Sequence, residues 1–123
     1  MHRTFLRSKI HRATVTSAAL DYEGSISIDR DLCRQAKLLE LEQVDVYDIT
    51  NGSRFTTYVI YGEPGQIQIN GAAAHLAKPG DLVIIAAYSH LRSDEIPSHE
   101  ATVVLVDAYN KVSSLKQSEV RLP

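Results

Sequence analysis

The stretch "DYEGSISID", residues 21–29, sets a glycine against a serine at the mouth of a strand. Ile26 and Ile28 alternate with Ser25, Ser27 and Asp29, the period-two pattern of a half-buried strand. Tyr22, Glu23 and Gly24 lead into it as a turn. Taken alone, Gly24 and Ser25 are a turn glycine and a strand-edge serine. Working outward, "TFLRSKIHRATVTSAAL" (4–20) is rich in Thr and Val and reads as one or two strands. "DRDLCRQAKLL" (29–39) opens on Asp29 as an N-cap and spaces Leu32, Ala36 and Leu39 at helical intervals. "QVDVYDIT" (43–50) and "RFTTYVIY" (54–61) flank the hairpin signal Asn51-Gly52. "QIQIN" (66–70) alternates again, and "GAAAHLA" (71–77) reads as a short helix stopped by "KPGD". "LVIIAAY" (82–88) is an apolar buried strand, and "EATVVLVDA" (100–108) is the last. The polar remainder from Tyr109 is expected to be loosely held. Many short strands with two short helices predict a mainly β fold, a small barrel with helical insertions. Residues 1–115 are expected to form one domain, with 116–123 as a loosely ordered tail.

The 123 residues fit one domain, and at that size a single modest core is buried without staples. The hydrophobic share of 44% and charged share of 23% belong to an ordinary soluble protein. A formal net charge of −2 gives no general pull toward nucleic acid or anionic lipid. No apolar run is long enough to span a membrane. The basic N-terminal residues His2, Arg3, Arg7 and Lys9 precede no apolar signal segment. The single cysteine, Cys33, cannot form an internal disulfide and is expected to be packed, in a reducing compartment. A cytoplasmic protein is expected. His2, His75, His90 and His99 show no metal-ligand spacing, so no metal is expected.

Five ordered blocks carry a more specific signal: "KIHR" (9–12), "YEGS" (22–25), "TNGSRFTTYVI" (50–60), "NGAAAH" (70–75) and "GDLVIIA" (80–86). Together they resemble the bacterial pyruvoyl-dependent aspartate decarboxylase family. The match runs from about residue 3 to residue 88; the segment from 91 onward carries little signature, and the turn "YGEPGQIQ" is shorter than is usual in that family. The resemblance implies a double-psi β-barrel, a homotetramer with sites between subunits, and conversion of L-aspartate to β-alanine and carbon dioxide for pantothenate and coenzyme A. In some relatives maturation also needs a helper protein.

Removing an α-carboxylate leaves a carbanion, which needs an electron sink. Pyridoxal phosphate is the usual one, acting through a Schiff base. The resemblance implies a self-derived pyruvoyl group instead, whose ketone condenses with the substrate amine. On that reading the Ser25 hydroxyl attacks the Gly24 carbonyl, the chain breaks between them, and Ser25 becomes the pyruvoyl group. Glycine at 24 would permit close attack and tolerate strained dihedrals.

The other site residues follow by position in the motif. Tyr58 matches the acid that protonates the carbanion; the rival is a strand tyrosine with a bonded hydroxyl. Arg54 matches a carboxylate-binding cation, its planar fork suiting a bidentate pair; the rival is a solvated hairpin arginine. Alternation puts Arg54 and Tyr58 on one face and Thr57 on the other, although the family uses Thr57 in both processing and substrate contact. A bulge, or contributions to two subunit sites, would reconcile these. Lys9 resembles the second carboxylate-binding cation, with His11 on the same strand face as a processing or polar wall residue. Asn70, Gly71, Ala72 and Ala73 resemble the substrate loop, where small side chains let backbone N–H groups approach an anion. Tyr22 lines the cleavage turn. The alternative function is a swapped-hairpin DNA-binding regulator, suggested by the pattern "ISIDRDLCRQAKLLELEQVDVYDI". A barrel that only assembles and binds is a third. The regulator reading does not account for R-F-x-T-Y or N-G-A-A-A-H.

Overall fold

A computed structural model describes residues 1–123. Its elements are β1 (His2–Thr14), β2 (Ser17–Ala19), β3 (Ser25–Asp29), α1 (Arg30–Ala36), β4 (Gln43–Asp48), β5 (Arg54–Gly62), β6 (Ile67–Asn70), a 3-10 turn (Gly71–His75), β7 (Leu82–Arg92), a second 3-10 turn (Ile96–Ser98), β8 (Glu100–Val106) and β9 (Val112–Glu119). The fold is mainly β, as the alternating stretches predict. The strands form one nine-stranded sheet in the order β2-β6-β3-β5-β4-β7-β1-β8-β9. Val15 and Thr16 join β1 directly to β2, at the sheet's far end. The Val15 N–H donates to Asp81 O at 2.9 Å, and the Thr16 N–H donates to Ile67 O at 2.8 Å. That one segment brings the two ends together, so seven strands close as a barrel and β8 and β9 extend outward from β1.

The alternation decides which side chains fill the barrel. Ile10, Ile26, Ile28, Val44, Val46, Val59, Ile67, Ile69, Val83 and Ile85 are all buried and pack as one cluster. Each such side chain contributes about 1.5–3 kcal/mol by leaving water. Their sequence neighbours therefore face out, which puts every second residue of β3, β4, β5 and β6 on the outer side; β1 alternates only between its irregularities at Leu6/Ser8 and Ile10/Ala13.

The Asn51-Gly52 turn joins β4 to β5 as an antiparallel hairpin, with Tyr47 opposite Arg54. Asp48 Oδ1 accepts from the N–H groups of Thr50 and Asn51 at 2.9 and 3.1 Å, and Gly52 supplies the left-handed φ of +80°. Burial, and the neighbouring Asp81, push the Asp48 carboxyl above its ordinary value. Asp29 caps α1, its Oδ1 accepting from the N–H of Asp31 at 2.8 Å. Its Oδ2 accepts from the Gly65 N–H at 2.8 Å, tying the helix start to the turn after β5.

Two expectations need correction. The helix does not reach Leu39. Lys37 adopts a left-handed conformation with φ 59°, and its N–H turns back to Arg34 O and Cys33 O. Leu39 lies beyond the end and is exposed, while Cys33 takes the buried place on the helix. Burial pushes the Cys33 thiol up to about 12, so it is packed and inert. The remainder after Tyr109 is also not loose. Val112–Glu119 forms β9, paired antiparallel with β8 from Val106↔Val112 to Glu100↔Glu119. The strand crosses residue 115, so the division placed there falls inside an element.

Asn110 makes that return possible. It is 2% exposed and holds a left-handed φ of 62°. Its Oδ1 accepts from the Thr14 N–H at 2.8 Å, and its Nδ2 donates to Thr14 O and Gly65 O, both at 2.9 Å. One side chain thus joins the β8–β9 turn to the end of β1 and to the turn after β5. Asn110→Ala loses all three bonds and keeps the unfavourable φ, so it is expected to destabilise by about 2–4 kcal/mol in denaturant unfolding.

Candidate active site

Ser25 opens β3 and lies opposite Asn70, the last residue of β6; Ile26 lies opposite Ile69 and Ser27 opposite Gln68. With Ile26 and Ile69 in the core, Ser25, Ser27, Gln68 and Asn70 share the outer face. Ser25 is nonetheless 1% exposed and Asn70 wholly buried, because the turn before β3 and the 3-10 turn after β6 fold over them. Asn70 Nδ2 donates to Ser25 Oγ at 2.9 Å and to Ser27 Oγ at 3.1 Å. The Ser25 hydroxyl donates in turn to Glu23 O at 3.2 Å, spanning Gly24.

Gly24 itself is exposed, does not use a left-handed φ, and a Cβ there would meet nothing within 4 Å. Strain at Gly24, expected from the sequence, is not what its backbone shows. The demanding glycine is Gly71, with φ +73°. A Cβ on Gly71 would lie 2.6 Å from Gly24 Cα, 2.8 Å from Gly24 N and 3.1 Å from Tyr22 O. The missing side chain lets the cleavage turn rest on the start of the 3-10 turn. Ala72 is exposed and Ala73 half-buried on that same turn. Tyr22 is 59% exposed and meets Gly71 through its backbone oxygen.

Tyr58 belongs to this group. β3 and β5 are parallel with Ile26 beside Val59, so the preceding position of each strand sets Tyr58 level with Ser25, on the outer face. Thr57 does not follow it. The β4–β5 register runs from Gln43↔Tyr58 to Tyr47↔Arg54 without a shift, so no bulge turns Thr57 outward. It is half-buried between Phe55 and Val59 on the inner side.

Arg54, Lys9 and His11 are placed elsewhere. Four strand steps of about 3.3 Å put Arg54 about 13 Å from Tyr58 along β5. Its guanidinium lies over the Tyr47 ring, 4.0 Å from the centroid. The cavity there, about 210 Å³, is lined by Asp45, Tyr47, Arg54, Phe55 and Thr56 and does not reach Ser25. Burial pushes the Tyr47 hydroxyl up to about 12, helped by its 2.7 Å hydrogen bond with the Tyr88 hydroxyl, so it stays neutral. Lys9 lies opposite Ala86, Ala86 opposite Asp45, and Asp45 opposite Thr56, three strand spacings or about 14 Å from β5. His11 alternates onto the Lys9 face; its Nδ1 is buried without a partner. Desolvation first, then Lys9 and Arg12, hold its pKa below the ordinary histidine value, favouring the neutral ring.

One chain thus carries two separated sets: Ser25, Tyr58, Asn70 and Gly71 around the cleavage turn, and Lys9, His11, Tyr47 and Arg54 across β1, β4 and the start of β5. The sequence reading missed Ser27, Gln68 and Tyr47. The alternation in "QIQIN" marked Gln68 as an outer residue, but nothing local showed that it would meet Asn70.

A sequence profile of the aspartate decarboxylase family matches residues 1–113. The chain belongs to that family. Proteins named aspartate 1-decarboxylase are 53% identical over 119 residues in Bdellovibrio bacteriovorus and 52% over 125 residues in Myxococcus xanthus. A third, from Hydrogenobaculum sp., is 50% identical over 117 residues. These alignments cover 97%, 100% and 95% of this chain, and 96%, 96% and 94% of the three relatives. The family assignment takes in the segment after residue 91, where the motifs are sparse.

For an aspartate decarboxylase, the close seat of Gly24 on Gly71 is the most exposed point of the site to mutation. Gly71→Ala would add strain of about 1–2 kcal/mol at the left-handed φ. It would also push the cleavage turn away. A displacement of about 1 Å there is expected to slow formation of the two fragments by about 10²-fold, followed by gel.

Proposed function

We propose that the protein is a self-processing decarboxylase that converts L-aspartate to β-alanine and carbon dioxide, supplying pantothenate synthesis. One observation carries the reading: a buried serine hydroxyl, held by a wholly buried amide, adjoins an exposed glycine in a chain of this family. In maturation, Ser25 Oγ adds to the Gly24 carbonyl carbon, and the bond to the residue 25 nitrogen breaks, leaving an ester and a free amine. Loss of the residue 25 α-proton forms the Cα=Cβ bond and expels the Gly24 carboxylate. A proton returns to Cβ, and water displaces the nitrogen as ammonia, leaving a ketone.

The residues suit a carbonyl group at position 25. Asn70 Nδ2 lies 2.9 Å from Ser25 Oγ and is free to donate once that oxygen has left. The space beside Gly24 is open, so the departing carboxylate has room. The pyruvoyl ketone supplies the sink for the electron pair released with carbon dioxide. Tyr58, level with Ser25, delivers the proton to the substrate carbon. Asn70 orients the substrate from one side, and the backbone of Gly71, Ala72 and Ala73 receives a carboxylate from the other.

The substrate cations complete the site from a neighbouring subunit. Lys9 and Arg54 stand farther from Ser25 within one chain than aspartate can reach. The family homotetramer, the double-psi form of the barrel, and a cytoplasmic setting with the option of a maturation helper complete the proposal. The parallel pairs β2–β6 and β3–β5 support the double-psi form, and the unpaired Cys33 supports a reducing compartment.

Ser25→Ala is expected to leave one full-length chain with no β-alanine release. Tyr58→Phe is expected to cleave normally and lose about 10²-fold or more in kcat, measured on the same preparation. A Tyr58→Phe protein at the wild-type rate would make water the proton source.

The shared site has its own test. Tetramers co-assembled from Tyr58→Phe and Arg54→Ala chains are expected to recover activity that neither parent has, because some sites then receive an intact Tyr58 from one chain and an intact Arg54 from another. Mixed tetramers no more active than their parents would put both residues in one chain's site.

A further inference from the structure

β6 and the residue just before it carry three side-chain amides, Gln66, Gln68 and Asn70, spaced two residues apart. Each amide has a carbonyl end that accepts and an NH₂ end that donates. A row of them therefore has a direction, set by its first contact.

That contact leaves no choice. The Glu63 backbone N–H can only donate, and it donates to Gln66 Oε1 at 2.9 Å. Gly62 makes room for this oxygen, since a Cβ there would lie 2.5 Å from it. Gln66 Nε2 then faces Gln68 and donates to Oε1 at 3.3 Å. The Ser17 hydroxyl donates to the same Oε1 at 2.8 Å, from across the β2–β6 pair. Gln68 Nε2 is left to donate to Asn70 Oδ1 at 2.7 Å. Asn70 must then turn its NH₂ toward Ser25 Oγ and Ser27 Oγ. Asn70 is wholly buried, so bulk water cannot supply the bonds that a reversed amide would lose.

We infer that Gln68 is a positioning residue for self-cleavage: it fixes Asn70 with a donor, not an acceptor, facing the Ser25 nucleophile. The inference rests on the self-cleavage reading above. With Asn70 donating, the Ser25 hydroxyl hydrogen is directed to Glu23 O, and a lone pair is left for the Gly24 carbonyl. Negative charge sits on Oγ when its proton leaves for the attack, and again when Oγ departs as part of the Gly24 carboxylate, and both times it meets an N–H. With Asn70 reversed, the hydroxyl would donate into the amide and the developing charge would face an oxygen.

The test reverses the row without changing its shape. Gln68→Glu, ionised at pH 7, has no donor for Asn70 Oδ1, so Asn70 turns its NH₂ toward residue 68 and its oxygen toward Ser25. Cleavage of freshly purified precursor, followed by gel, is expected to slow by at least about tenfold, less than the roughly 10²–10³-fold cost of losing a donor aimed at the oxyanion itself. Protonation restores a donor. The variant-to-wild-type ratio of cleavage rates is therefore expected to rise as pH falls toward the ordinary glutamate value of about 4.3. Gln68→Met, equal in length but without hydrogen bonds, is expected to cleave several-fold slower than wild type with a ratio flat in pH. A purely structural role would lower both variants alike and give no recovery at low pH. Gln68→Glu matching wild type at pH 7, or a deficit constant down to about pH 4, overturns the inference. If Gln68→Glu does not fold, Gln68→Met cleaving at the wild-type rate overturns it equally. A wild-type chain that never cleaves removes the self-cleavage reading and this role with it. A wild type that cleaves beside an equally fast Gln68→Glu removes only the role of Gln68.

Discussion

The pairing of Ser25 with Asn70 across β3 and β6 depends on register, and the core sets that register. Ile26 and Ile28 enter the barrel from β3, and Ile67 and Ile69 from β6. A slip of one residue would drive serines and amides into the core and isoleucines onto the outer face. Four apolar side chains, each contributing about 1.5–3 kcal/mol, thus hold a polar contact that by itself adds about 1 kcal/mol. The site contains little of the energy that positions it. Tyr58 is placed by the same means, since Val59 packs inside and fixes the step beside it.

Much of the fold was legible because its signals are local. Asn51-Gly52, the alternation of β3, β4 and β6, and the Asp29 cap each need only a few neighbouring residues to be read. The failures lie where a cap or a distant contact overrides the local pattern. Leu39 fits the helical spacing, but Lys37 turns left-handed first. The segment after Tyr109 is polar, but Asn110 bonds to Thr14 and Gly65, and β8 offers an open edge for β9. The motifs named the site residues without their arrangement. Nothing in "TNGSRFTTYVI" shows that Arg54 lies against Tyr47, and nothing in "NGAAAH" shows that Gly71 carries Gly24.

Gly24 and Gly71 show how motif and geometry differ. The sequence draws attention to Gly24 because the bond to be cut follows it. The structure puts the steric demand on Gly71, which has no room for a side chain and a φ that favours glycine. The cleavage turn is thereby held from below by backbone packing and stays open to solvent above, an arrangement suited to a peptide bond that must be approached on one side and released on the other.

Residues 1–24 contain all of β1 and β2, and these are not peripheral strands. β1 lies between β7 and β8, and the segment after it joins the two ends of the barrel. On the proposed reading, cutting the chain after Gly24 severs a covalent link without removing either strand from the sheet. The matured barrel becomes a complex of two polypeptides, and neither has a complete sheet without the other. Its unfolding then gains the concentration dependence of a dissociation. Refolding becomes an encounter between fragments rather than the closure of one chain. An uncut chain refolds without meeting a partner, whereas a cut one must find its other fragment, so slow unfolding counts for more in its persistence.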